Sequence, residues 1–124
     1  MHKPERVAAF LGICLLVATR SLNGGEPLRM QVTPSVSRAP ALLTVRVNVE
    51  AAADNRLLQV AAESPDFYRS SQIQIDGANT PTVNVFEFRN LPSGVYQVTG
   101  VLVGVNGRRA LVSRLAKVEP PFGR

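Results

Sequence analysis

At 124 residues, 45% hydrophobic and 19% charged, the chain has room for one globular domain beside a targeting segment, and its composition excludes a disordered polymer. The formal net charge is +5, yet Arg29, Arg38, Arg46, Arg56, Arg69, Arg89 and Arg114 are scattered and only Arg108 and Arg109 adjoin. A nucleic-acid binder gathers its cations on one face with aromatics between them, so nucleic acid is not an expected partner.

Residues 1–25 read as a signal peptide. Met1 to Arg6 is short and slightly basic, Val7 to Ala18 is a charge-free apolar run of twelve, and Thr19 to Gly25 turns polar and breaker-rich. That order is the secretory pattern. Such a run rises only about 18–20 Å as a helix, short of a hydrocarbon core of ~30 Å, so an uncleaved anchor over residues 7–19 is the weaker alternative. The cleavage point is open between Ala18 and Gly24. Ile13 before Cys14 is too large for a lipoprotein signal. Cys14 is the only cysteine and His2 the only histidine, so a mature domain of residues 26–124 would hold neither, and no disulfide. These features predict a secreted or periplasmic protein, with membrane contact only through the N-terminal segment if it is retained.

From Gly25 onward the apolar residues recur with a period of two. In the clearest segment Leu43, Val45, Val47 and Val49 point one way while Thr44, Arg46 and Asn48 point the other. Strands are predicted near 29–36, 41–50, 56–63, 71–76, 82–89, 94–105 and 109–118. Between them lie Ser37-Arg38-Ala39-Pro40, Asp54-Asn55, Ser64-Pro65-Asp66, Asp76-Gly77-Ala78-Asn79 and Asn106-Gly107, all with turn chemistry. Seven short strands without a helical pattern predict an all-β sandwich. Segment 82–89 has Val83 and Val85 in one phase and Phe86 and Phe88 in the other, which requires a bulge or a strand covered on both faces.

Asn106-Gly107 has the composition of a type I′ turn. A two-residue loop there pairs Val105 with Arg108, Leu102 with Leu111, Gly100 with Ser113 and Val98 with Leu115. Tyr96, Val98, Leu102, Leu111 and Leu115 then form a core stripe, with close approach expected at Gly100. The opposite face would carry Val101, Val103 and Val112, apolar enough to meet a partner.

Leu91-Pro92-Ser93-Gly94-Val95-Tyr96-Gln97-Val98 resembles the entry to the sixth strand of immunoglobulin-like and fibronectin type III-like domains. The resemblance implies that Leu91, Gly94 and Tyr96 form a tyrosine corner, the phenol bonding to nearby backbone while its ring packs in the core. The chain lacks Trp, and Val98 stands where antibody domains place their second cysteine. The resemblance is therefore to the architecture, in a bacterial exported protein, and indicates no subfamily.

With no His or Cys after residue 25, a Ser-His-Asp or Cys-His site is not expected there, nor is a zinc or copper centre. Asp54, Asp66 and Asp76 fall in predicted loops without the spacing of a calcium loop. The reading is therefore of a protein that is not an enzyme and binds no cofactor or metal. The surface stretch that stands out is Asp66-Phe67-Tyr68-Arg69-Ser70-Ser71, read as a loop whose aromatics and Arg69 suit protein contacts. The expected role is a module that binds or scaffolds another protein. A small glycan- or ligand-binding envelope protein using loop 65–71 is the second reading, and the oligomeric state is left open.

Overall fold

A computed structural model describes residues 26–123; the signal-peptide reading of residues 1–25 lies outside them. Eight strands follow in chain order: β1 (Leu28–Thr33), β2 (Val36–Arg38), β3 (Ala41–Val49), β4 (Asn55–Ser64), β5 (Phe67–Gln74), β6 (Val83–Leu91), β7 (Gly94–Gly104) and β8 (Gly107–Glu119). A single 3-10 turn, Gly77–Asn79, sits between β5 and β6. No described helix is long and apolar enough to cross a membrane. The strands form two sheets, one ordered β1-β3-β6 and one ordered β2-β8-β7-β4-β5. The all-β sandwich expected from the periodicity is what the chain forms.

Strand β3 shows why. Leu43, Val45 and Val47 are fully buried and alternate with Thr44, Arg46 and Asn48. Each buried aliphatic side chain contributes about 1.5–3 kcal/mol, and a slip of one residue would turn all of them to water. Facing them across the sandwich are Leu58 and Val60 of β4 with Tyr96, Val98 and Leu102 of β7. Gly100, between Val98 and Leu102, is approached by Met30 of β1, whose Sδ would lie 3.2 Å from an added Cβ. The close approach expected at Gly100 is therefore present.

The eighth strand arises where a single strand over 29–36 is expected. Pro34 has no N–H to give to a ladder, and the chain leaves the first sheet there. It rejoins the second as β2, which runs parallel to β8. In β6, Asn84, Phe86 and Phe88 face inward while Val83 and Val85 are exposed. Residues 83–88 pair with β3 in regular register, so the expected irregularity is absent from that run. The one register shift falls later, between Ala41 and Leu43 of β3, where Asn90 takes a φ of 59°.

The last hairpin departs from the expected register, and the departure has a physical cause. Gly104 faces Gly107, so Val105 and Asn106 are the corner residues. Gly107 alone takes positive φ, at 109°, whereas a type I′ turn on Asn106 and Gly107 needs both. Val103 then pairs with Arg108 but Leu102 with Ala110, leaving Arg109 as the extra residue of a bulge. The bulge turns Arg109 toward Asn55 and Asp54. Beyond it, β8 is displaced by one residue and its two faces exchange. Leu111 and Leu115 are 51% and 69% exposed rather than in the core, while Ala116 and Val118 are buried and Val112 packs against the core.

The turn geometry is testable. No atom lies within 4 Å of a Cβ built on Gly107, so Gly107→Ala meets only the backbone penalty of left-handed φ, roughly 1–2 kcal/mol. Asn106→Ala should change stability by less than about 0.5 kcal/mol. Denaturant midpoints of the two variants check the difference; equal losses would restore the type I′ turn.

Candidate functional site

The broadest feature of the molecule is the outer face of the five-stranded sheet, and strand pairing builds it row by row, since opposed residues share a face. The first row is Tyr68, Glu63, Gln97 and Leu115. The second is Ser70, Ala61, Thr99 and Ser113, and the third Gln72, Gln59, Val101 and Leu111. The fourth is Gln74, Leu57, Val103 and Arg108. The second and third rows hold no charge at all. Their polar groups satisfy one another: Thr99 and Ser113 hydroxyls lie 3.3 Å apart, and Gln59 Nε2 donates to Gln72 at 3.4 Å. Glu63, Ser64, Pro65, Val95, Gln97 and Leu115 line a shallow depression at one end. By contrast, the exposed side of the three-stranded sheet carries Arg29, Arg46, Glu87 and Arg89.

Of the residues expected to meet a partner, Val101 and Val103 lie on this face and are half-buried by their neighbours. Val112 does not; the bulge in β8 turns it inward, and Leu111 and Leu115 take its place. Nothing in the local sequence marks that exchange, because it depends on where Arg109 goes.

Residues 65–71 are not a loop. Ser64 pairs with Phe67, so the turn is Pro65-Asp66 alone and the aromatic run begins β5. The part of the strand before the one expected near 71–76 escapes a periodicity search because it is an edge with both faces largely exposed and has no need to alternate. A loop-based glycan or ligand site at 65–71 loses its structural basis with this. Phe67 packs edge-on against Tyr96 with ring centroids 6.2 Å apart, covering the end of the sandwich. Arg69 stacks over Phe67 at 5.0 Å and Nη1 donates to the Arg89 carbonyl at 2.6 Å. Tyr68, 61% exposed, is left free on the outer face.

The residues expected at a tyrosine corner lie at the entry to β7. Leu91 and Tyr96 are fully buried, Gly94 has a φ of 153°, and the Tyr96 hydroxyl donates to the Pro92 carbonyl at 2.7 Å. Burial raises the phenol's pKa above its ordinary value, opposed by a hydrogen bond with Ser64 and the positive charge of Arg69. The neutral phenol is thus favoured in the folded state.

The opposite end of the sandwich holds a polar knot that the sequence does not announce. Asn55 is wholly buried. Its Nδ2 donates to the Glu50 carbonyl at 2.9 Å and to Thr80 Oγ1 at 3.2 Å, while its Oδ1 accepts from Arg109 Nη1. Thr80 Oγ1 donates in turn to the Gly77 carbonyl, and Arg109 Nε lies 3.6 Å from Asp54. Gly104 gives room for this, since a Cβ there would fall 2.9 Å from both Arg109 Cδ and the Asp54 carbonyl oxygen. Asp54 and Asp76 lie at this end, and Asp66 lies beyond the far end of the ten-residue β4, about 30 Å away. The three aspartates do not converge. Among the described residues no three His, Cys, Asp or Glu side chains gather to hold a metal.

Two variants test these ends. Asn55→Ala strands the Glu50 carbonyl and the Arg109 guanidinium, and should cost about 2–3 kcal/mol, lowering Tm by about 10 °C or more in a domain this size. Tyr96→Phe should cost about 1–2 kcal/mol. Because the folded pKa of Tyr96 is raised, its contribution is complete below the unfolded value near 10 and is lost as pH rises through the folded one. Thermal melts from pH 8 to 11 should therefore decline more steeply for the parent chain than for Tyr96→Phe.

No family model and no curated protein matches the sequence. Among solved structures, the chain is similar to a superoxide reductase (neelaredoxin) from Ignicoccus hospitalis at 14% identity and TM-score 0.59, covering 76% of this chain and 81% of that one. Two variants of the same enzyme give TM-scores of 0.61 and 0.58. A CARDB domain from Pyrococcus furiosus, solved with di-metal ions, matches at 13% identity and TM-score 0.50, over 77% of this chain and 92% of that one. At such identities the likeness is one of fold. It overturns the expectation that the chain is not an enzyme. That expectation rested on missing His and Cys and on aspartates without the spacing of a site, and the similar folds of these structures include an enzyme. The fold that unites this chain with these structures is an all-β sandwich.

Proposed function

We propose that the protein is an exported immunoglobulin-like or fibronectin type III-like module that binds or scaffolds another protein in the bacterial envelope or outside the cell. The observation that carries the reading is the broad outer face of β5, β4, β7 and β8, whose two central rows lack charge in a chain with a net charge of +5. Interfaces are depleted of charge at their centres and use exposed aromatics as anchors; Tyr68, Leu111 and Leu115 supply the large exposed side chains here. Support for the family comes from the tyrosine corner of Leu91, Gly94 and Tyr96 and from a three-stranded sheet packed on a larger one. Support for export comes from the charged start, apolar run and polar exit of residues 1–25.

The test is affinity capture from the native envelope with the tagged full-length chain, followed by titration of the captured protein. Tyr68→Ala and Leu111→Lys should each weaken binding about tenfold or more while leaving the thermal melt within a few degrees. Unchanged capture by both variants would remove this face as the binding site. Export is checked by N-terminal sequencing of the protein recovered outside the cytoplasm: a start at Thr19 or later is expected, and a start at Met1 would refute cleavage.

A further inference from the structure

The edges of the two sheets are not protected alike. An exposed edge strand offers unpaired N–H and C=O groups to any other strand, and proteins blunt such edges with prolines, charges, bulges or brevity. Strand β1 is bracketed by Pro27 and Pro34 and carries Arg29. Strand β2 is three residues long. Strand β6 carries Glu87 and Arg89 and ends in the left-handed Asn90. The part of β8 not paired with β2 carries Arg108, Arg109 and Arg114 together with the bulge.

Strand β5 has almost none of these devices. Its eight residues pair with β4 without a register shift, it contains no proline, and every residue after Phe67 is exposed. Its one charge, Arg69, is engaged by the Phe67 ring and the Arg89 carbonyl. Alternate residues of an antiparallel strand direct their backbone groups away from the existing partner, so β5 presents a ladder half made.

We propose that β5 pairs antiparallel with the β5 of a second copy of this chain, joining the two five-stranded sheets into one. The strand is compatible with itself in one symmetric register above others. A two-fold axis through Ser71 sets Ser70 against Gln72, Tyr68 against Gln74 and Arg69 against Ile73, with the two Arg69 side chains four positions apart, roughly 13 Å. An axis through Ser70 would bring the two Arg69 to diagonal neighbours at about 7–8 Å, where like charges repel. Hydroxyls and carboxamides then meet across the junction. The proposal concerns the rim of the sheet and stands apart from the docking role of its outer face.

Sedimentation of the full-length chain in a Cys14→Ser background should show a concentration-dependent dimer. Adding Ser71→Cys, which sets the new thiol opposite its own copy, should give a disulfide-linked dimer under mild oxidation, whereas Gln74→Cys should not. Ser71→Lys should abolish the dimer with the thermal melt retained. A chain monomeric at every concentration overturns the proposal, as does crosslinking through position 74 but not 71. A monomer that still captures an envelope protein would refute self-pairing and leave the docking face standing.

Discussion

The hydrogen bond between Arg109 and the buried side chain of Asn55 governs more of this molecule than its size implies. Asn55 has no water to fall back on, so its carboxamide must be satisfied from within. Glu50, Thr80 and Arg109 do this from three separate segments of chain. To reach it, Arg109 leaves the regular ladder as a bulge residue, and every later side chain of β8 changes sides. Leu111 and Leu115 then face outward, and Ala116 and Val118 fill the core. A polar contact at one end of the sandwich thus decides the chemistry of a whole sheet face.

The other end is closed by different means. Tyr96 fastens the turn before β7 through the Pro92 carbonyl, and Phe67 caps the ring from the side. Arg69 spans from β5 to β6 over that aromatic pair. The hydrophobic layer between the sheets is therefore bounded by a carboxamide knot at one end and a stacked aromatic lid at the other. Between these limits the two central rows of the larger sheet's outer face have no structural reason to lack charge, which supports the docking role proposed for them.

How much of this was legible in the sequence depended on how local the cause was. The alternation of Leu43 to Val49 is written residue by residue, because a strand buried on one face must obey a period of two. Leu91, Gly94 and Tyr96 are equally local, since the phenol bonds four residues back. The first half of β5, from Phe67 to Ser70, reads as part of a loop because an edge exposed on both faces has no pattern to display, whereas its second half falls in the strand expected near 71–76. The β8 register failed for the opposite reason: its cause, Asn55, lies 54 residues from Arg109. Asn106-Gly107 looked sufficient to specify a turn, but a distant side chain had a stronger claim on the strand that follows.

The bulge also bears on how this protein tolerates change in length. Exposed hairpin tips are ordinarily where chains accept insertions and deletions most freely. Here a residue gained or lost between Gly104 and Ala110 would rotate β8 by half a turn relative to its partner, trading Leu111 and Leu115 for Val112 and Ala116 across the sheet. The tip is open to solvent, yet its residue count is constrained as tightly as a core position. Point substitutions can drift at Val105 or Arg108, but the number of residues in this turn has little freedom to vary.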